Sequence, residues 1–295
     1  DPDVMTRARF QKLAAGYRGL RIAVVGDFCL DRYLEIDPGK SETSIETGLD
    51  VYNVVNVRSQ PGGAGTILNN LVDLGVGRIF PIGFCGRDGE GFELRRALEG
   101  MGERLDLDHF VESGERRTFT YTKPLLTREG IPPQELNRLD FKNWSPTPDS
   151  LSGRISDSLN QLAEQLDAIV VLDQVDVAGT GAVTDRVLET LAKIAQARPS
   201  MLILGDSRNA IGRFPAISLK VNEDEFLRQL SPCGDSKPES LTMEDAASRA
   251  LEVARERGSE VFVTRGSGGI LSAQPRGDSD HALALPVRGA IDIVG

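Results

Sequence analysis

Cysteine and histidine are both scarce in this chain of 295 residues, with three of the first and two of the second. Cys29, Cys85 and Cys233 are odd in number and widely spaced, which excludes a disulfide framework and a four-cysteine zinc site. A reducing, cytoplasmic compartment is the expectation. His109 and His281 alone leave little material for a histidine-based triad or a multi-histidine metal centre. Positive charge is also in deficit: 34 Lys and Arg stand against 44 Asp and Glu, a net charge of −10. Such a chain has no basic excess to neutralise a nucleic-acid backbone, so no nucleic-acid partner is expected. No apolar run approaches the roughly 18–20 residues that cross a bilayer, and no membrane partner is expected. Asp1–Gln11 lacks the charged-then-apolar pattern of a secretion signal.

What is present is ordinary globular material, 40% hydrophobic and 26% charged, enough for a full core. Short β-branched runs alternate with stretches of helical spacing. The runs are Arg21–Gly26, Arg78–Gly83, Ala168–Leu172, Met201–Leu204, Ile217–Val221 and Glu260–Thr264. The helical stretches are Gly65–Leu74, Phe92–Met101, Leu151–Leu166, Val183–Ala197 and Glu244–Arg257. This alternation predicts an α/β fold, a central, mostly parallel sheet flanked by helices. Two stretches, about 31–58 and 116–126, alternate polar and apolar residues without helical spacing. They read as strands of a small separate sheet, suited to a lid over a site at the strand ends.

Several segments could carry chemistry. Leu34–Ser41 ends in the GKS of a phosphate loop but has Leu where that loop needs Gly, and reads as a Pro-Gly turn. Pro61-Gly62-Gly63-Ala64-Gly65 opens a helix, where missing side chains let a ligand reach the backbone; alone the signal is weak, and a plain strand–helix turn explains it. Gly83–Gly89 lacks the spacing of a dinucleotide loop and reads as structural. Asn222-Glu223-Asp224-Glu225 follows a strand. It is either a capping box or a carboxylate placed to position Mg²⁺ through water. Thr264-Arg265-Gly266-Ser267-Gly268-Gly269 follows another strand, as a ligand loop or a tight hairpin. Asp31 and Asp173 are carboxylates near strand ends, able to accept from vicinal hydroxyls or simply to face solvent.

In order along the chain, GDFCLD (Gly26–Asp31), PGGAG (Pro61–Gly65), IGFCGRDGEG (Ile82–Gly91), NEDE (Asn222–Glu225) and TRGSGG (Thr264–Gly269) resemble the ribokinase-like (PfkB) family of carbohydrate kinases. Asn137–Phe141 and Asp206-Ser207-Arg208 fit the same pattern. LDRY, RLDF and TYTK look closest to the kinase of ADP-heptose synthesis, which acts on heptose 7-phosphate. The resemblance implies one ribokinase-like kinase domain over 1–295 with a β-sheet lid, and ATP-dependent phosphorylation of a sugar or sugar phosphate. It implies sugar contacts from Asp31, Gly62, Gly63, Thr66 and Asp173. Lys123 and Arg138, on charge as much as resemblance, are expected to hold a phosphate already on the sugar. Asn222, Thr264, Gly266, Ser267 and Gly269 fall in the nucleotide-binding segments. Glu225 corresponds to the Mg²⁺-organising position, and Asp292 to a monovalent-cation site that K⁺ fills. A homodimer through the lid sheet is a further expectation. Thr66 departs from the family's Asn. The chain reads Ile291-Asp292-Ile293-Val294-Gly295 at the start of the family's D-x-x-G-A-G-D. The catalytic Asp is therefore expected three residues past Gly295, in a domain whose C-terminal part lies beyond this chain. The rival readings are a family member that binds sugar or nucleotide without turnover, and a nucleotide-dependent oxidoreductase, disfavoured by the missing GxGxxG.

Overall fold

The computed structural model describes residues 5–230 and 241–285. Cys233, Asp292 and Gly295 lie outside the described residues.

An N-terminal helix, α1 (Arg7–Gly16), is capped by Thr6 and buries no residue. The first β-branched run forms β1 (Arg21–Gly26), buried at every position after Arg21. The chain turns at once into β2 (Phe28–Ile36), crosses a two-residue pair, β3 (Glu42–Thr43) and β4 (Asp50–Val51), and returns as β5 (Val54–Gly63). The GKS segment sits in the 3₁₀ turn Pro38–Lys40 with no helix after it, as a Pro-Gly turn requires. Helix α2 (Ala64–Asp73) leads to β6 (Arg78–Gly86), and α3 (Gly89–Glu99), capped by Asp88, leads to β7 (Phe110–Ser113). Next come β8 (Phe119–Arg128), β9 (Ile131–Glu135) and β10 (Leu139–Phe141). Helix and strand then alternate through α4 (Asp149–Leu162), β11 (Ala168–Asp173), α5 (Asp185–Ala197), β12 (Leu202–Ser207) and β13 (Ser218–Asn222). A single turn, α6 (Glu223–Glu225), and the helix α7 (Met243–Arg257) precede β14 (Val261–Thr264), β15 (Ile270–Ala273) and β16 (Ser279–Ala282).

Nine strands make the main sheet in the order β16-β15-β14-β13-β12-β11-β1-β6-β7. It is parallel from β7 to β14 and antiparallel at the β14-β15-β16 edge. Two apolar layers cover its faces. One gathers Val25, Ile82, Ile155, Leu159, Val187 and Leu191 under α4 and α5; the other gathers Val24, Leu30, Leu68, Leu94 and Leu98 under α2 and α3. Burial on both faces explains why these strands read as continuous apolar runs. The buried Cys29 and Cys85 are free thiols. Among the described residues no helix is long and apolar enough to cross a membrane.

The second sheet is the lid, in the order β10-β8-β2-β5 with β9 paired to β8. Its strands occupy 28–36, 54–63 and 119–141, so the lid starts earlier and runs longer than alternation over about 31–58 and 116–126 predicts. The difference has a physical source. The first residues of β2 (Phe28, Cys29, Leu30) are buried on both sides and show no alternation, while β9 and β10 are exposed throughout and carry little apolar signal.

The lid is attached to the main sheet at Gly26–Asp27. Gly26 has φ +152°, and a methyl group there would lie 2.1 Å from the Leu172 carbonyl oxygen, so only glycine lets β1 pass β11 and leave the sheet. The buried Asp27 carboxylate accepts from the backbone N–H groups of Gln174 (2.8 Å), Val175 (3.2 Å) and Ala182 (2.7 Å). Its carbonyl accepts from Ala64 N, the first residue of α2. One residue therefore ties both lid strands to the end of β11 and the approach to α5.

Candidate active site

In a parallel sheet the loops at the carboxyl ends of the strands are where ligands are held. Here two groups of sequence-marked residues meet at that edge. The first lies where the lid overhangs β11 and β12, enclosing a cleft of about 330 Å³. Asp31, Gly63, Thr66, Lys123 and Arg138 line it, with Cys29 and Tyr121 from the lid. Its floor comes from Leu172, Gln174, Asp176, Asp206 and Arg208, at or just beyond the ends of β11 and β12. A hollow of about 430 Å³ also exists at the amino ends of the strands, lined by Met201, Ser218 and Gly258 among others, but Glu260 is its sole ionisable side chain. Of these two hollows, the lid cleft is the one with converging charge.

Asp31 sits in mid-strand in β2 and is only 6% exposed, rather than in a solvated turn. Lys123, 4% exposed, reaches it from the neighbouring strand β8: Nζ lies 3.6 Å from Asp31 Oδ1 and 3.3 Å from the Tyr33 hydroxyl. Burial alone pulls the Lys123 pKa down, yet Asp31 and Tyr33 hold it above its ordinary value, so the lysine is charged. Arg138 lies over the Tyr121 ring at 4.8 Å and donates twice to Asp140, at 2.7 and 2.8 Å. That clamp raises its pKa. Asp176 pairs with Lys142 at 2.8 Å, and Asp206 with Lys220 at 2.9 Å.

The glycine motif ends β5 and begins α2. Gly63 has φ +60°, and a methyl group on it would lie 2.5 Å from the Asp27 carbonyl oxygen. Gly62 is buried and Thr66 is in the first turn of α2. Asp173 does not line the cleft. Its side chain turns beneath the floor and accepts from the Ser207 hydroxyl at 2.9 Å. Burial, with the nearby charge of Asp27, pushes its pKa up to about 7. Gln174 and Asp176 stand in the cleft instead, as the backbone beyond β11 passes over that buried carboxyl.

The second group occupies the ends of β13 and β14, paired in register so that Asn222 lies opposite Thr264. Asn222 and Glu225 form a complete capping box: Asn222 Oδ1 accepts from Glu225 N and Glu225 Oε2 from Asn222 N, both at 2.8 Å. The Thr264 hydroxyl donates to the Val221 carbonyl at 3.3 Å. Arg265 is held by Glu223 at 2.8 Å and by the Leu241 carbonyl. Gly266 and Ser267 are exposed at the tip of a tight turn, and no atom would crowd a methyl group on Gly266. Gly269, buried at φ +87°, closes the turn; a methyl group there would strike the Ala282 carbonyl oxygen at 2.0 Å. The Lys220–Asp206 pair joins the two groups, since Asp206 lines the cleft and Lys220 precedes Asn222 in β13.

Among the described residues no cluster of three or more His, Cys, Asp or Glu side chains could hold a metal by itself. An ion of the Mg²⁺ type needs no such cage, since one or two carboxylates, waters and substrate phosphates suffice. Glu223, Asp224 and Glu225 at the end of β13 fit that kind of site, and the open glycine turn beside them fits a phosphate tail. Tyr121, Gln174, Asp176, Asp206 and Arg208 acquire their place only in three dimensions. Asp206 and Arg208 had a signal in the sequence, as part of the Asp206-Ser207-Arg208 that follows a strand, and Tyr121 as part of TYTK.

No protein-family model matches the chain. Among curated proteins it is similar to the bifunctional protein HldE of Citrifermentans bemidjiense, 27% identical over 292 residues, covering 99% of this chain and 56% of that protein. The HldE of Alkalilimnicola ehrlichii is 31% identical over 290 residues, covering 93% of this chain and 52% of that one. The chain thus spans about half the length of these relatives. Among solved structures it is similar to Arabidopsis thaliana ribokinase complexed with ribose and ATP, with TM-score 0.64, 16% identity, and 94% and 81% of the two chains covered. Escherichia coli phosphofructokinase-2 with fructose-6-phosphate gives TM-score 0.62 at 15% identity, with 92% and 82% covered. The fold is that of the ribokinase-like (PfkB) kinases, and the sequence is similar, over nearly all of its length, to about half of the bifunctional HldE proteins.

Proposed function

We propose that the chain is the kinase part of an enzyme that transfers the γ-phosphate of ATP to a hydroxyl of a sugar or sugar phosphate. The observation that carries this reading is the shared edge. The charged, lid-covered cleft at the ends of β11 and β12 stands beside an open glycine turn at the ends of β13 and β14, joined by Lys220–Asp206.

Phosphoryl transfer asks a protein mainly for alignment and for control of charge. In this reading Asp31 accepts hydrogen bonds from sugar hydroxyls, and Lys123 pairs with it and fixes it. Gly62 and Gly63 let the polyol approach the backbone, and Thr66 offers a hydroxyl in place of the family's amide. Lid residues exclude water from the cleft. Asn222, Thr264 and the Gly266–Gly269 turn hold the nucleotide. Glu225 would hold Mg²⁺ through water, and the ion supplies neutralisation of phosphate charge. The likeness to HldE and the LDRY, RLDF and TYTK segments make heptose 7-phosphate the first acceptor to try. Val55, Val57 and Leu139 of the lid are exposed, and a homodimer through that sheet belongs to the same reading. Sedimentation of the protein checks it.

The test is ATP turnover by the full-length protein, across a panel of sugars and sugar phosphates. Stimulation by at least one acceptor is expected. Binding of sugars with no turnover of ATP would favour the non-catalytic reading, which rests on Thr66 at the family's Asn position.

A further inference from the structure

Six charged side chains line the lid cleft, and five of them are matched in ion pairs. Asp31 is matched by Lys123, Arg138 by Asp140, Asp176 by Lys142 and Asp206 by Lys220. Arg208 also lines the cleft, yet among the described residues its guanidinium makes no ion pair and donates no hydrogen bond. Its main chain, in contrast, is fixed. The Arg208 N–H donates to the Asp173 carbonyl at 3.2 Å, and its own carbonyl accepts from Gln229 at 2.8 Å and Arg228 at 3.1 Å. The backbone thus sets where the side chain starts and leaves its charge to the cleft.

We infer that Arg208 is the specificity-determining residue that receives a phosphate group carried by the acceptor. The inference rests on the kinase reading for what the acceptor is, and deepens it by naming a phosphorylated polyol and the residue that selects it. Their existing ion pairs reassign the role from Lys123 and Arg138, where charge and resemblance put it. Lys123 is enclosed between Asp31 and Tyr33, and Arg138 has its Nε–Nη2 edge on Asp140, which matches its charge. At either, an incoming phosphate meets a charge that a carboxylate already neutralises. A planar guanidinium with free donors matches two phosphate oxygens directly. A neutral polyol gives an unmatched cation nothing comparable. The donor side is a poorer candidate for this charge, because none of Asn222, Glu225 or Thr264–Gly269 lines the cleft.

The experiment is calorimetric titration without ATP, using a hexose 6-phosphate and a heptose 7-phosphate, each beside its unphosphorylated parent. It is run on the wild type, Arg208→Met and Arg208→Lys. The exposed side chain makes both variants compatible with the fold, and circular dichroism verifies it. The wild type should bind at least one phosphorylated sugar about tenfold or more tightly than its parent, the range of one charge-assisted contact. Arg208→Met should close that gap and Arg208→Lys restore part of it. A gap that persists in Arg208→Met overturns the inference and returns the phosphate to Lys123 or Arg138. No gap in the wild type overturns it too, while turnover of ATP with neutral sugars would still sustain the kinase reading. A rise in the ATP KM of Arg208→Met with acceptor affinity intact would also overturn it, by assigning the residue to the donor.

Discussion

Gly62 and Asp31 lie diagonally across the antiparallel pair β2–β5, so close that a methyl group on Gly62 would stand 2.3 Å from Asp31 Oδ2 and 2.8 Å from Cys29 Sγ. The carboxylate occupies the space that a side chain would take. Gly62→Ala must therefore turn Asp31 away from its place. The expected outcome is an acceptor KM raised by about tenfold or more with the ATP KM little changed, in steady-state kinetics with each substrate varied. Equal changes in both would mean that Asp31 does not face the acceptor.

The Asp31–Lys123 pair is buried on both sides, with side chains 9% and 4% exposed. Removing one member strands the other's charge, which costs about 3–5 kcal/mol, whereas removing both leaves no such charge. Urea unfolding should show Asp31→Ala and Lys123→Met each markedly destabilised, and the double variant less so than their sum. Strict additivity would show that the two charges do not interact.

Much of this site was legible before the fold was known, and the divide follows the physics. Asp31, the Gly62–Gly63 turn, Asn222 and the Thr264–Gly269 loop announce themselves because each is a local feature, a carboxylate or a turn at the end of an apolar run. The β1, β11 and β14 strands were legible for the same reason, since burial on both faces leaves continuous β-branched runs. What stayed hidden depends on contacts between distant segments. Nothing local tells that Asp173 points beneath the cleft floor to Ser207 while Asp176 reaches into it, or that Arg138 is spent on Asp140. Asp27 was hidden for a like reason, its three backbone donors coming from about 150 residues away in sequence. The exposed strands β9 and β10 were illegible because their stability comes from pairing with β8, not from apolar pattern.

Asp173 makes the fold's stability depend on pH. Its pKa is about 7 in the native state, raised by burial and by Asp27, against a value near 4 when unfolded. The native state therefore holds a proton there between roughly pH 4 and 7 that the unfolded chain has lost. Stability is greatest below that window and falls as pH rises through it. Asp173→Asn keeps an acceptor for Ser207 and removes the titration. Relative to wild type, the variant should be more stable at pH 8 than at pH 5 by about 2 kcal/mol, read from urea midpoints at the two values. A difference that does not change with pH would show that Asp173 ionises freely in the native state.

Glu225 separates the two readings of the NxxE segment. Its Oε2 is committed to the Asn222 N–H, and the capping box it completes starts the turn that carries the end of β13. Gln retains a carbonyl oxygen for that hydrogen bond but has no charge, so Glu225→Gln should lose no more than about 1 kcal/mol in urea unfolding. If the carboxylate also organises Mg²⁺, the same variant must need more of the ion: the Mg²⁺ concentration for half-maximal turnover should rise several-fold, with the acceptor KM unchanged. Glu225→Ala, which removes both functions, should add a loss of stability to the same Mg²⁺ effect. If Glu225→Gln instead shows wild-type Mg²⁺ dependence while Glu225→Ala loses stability alone, the segment is a helix cap and the metal must be organised by other carboxylates, of which Glu223 is tied to Arg265 and Asp224 is the next to substitute.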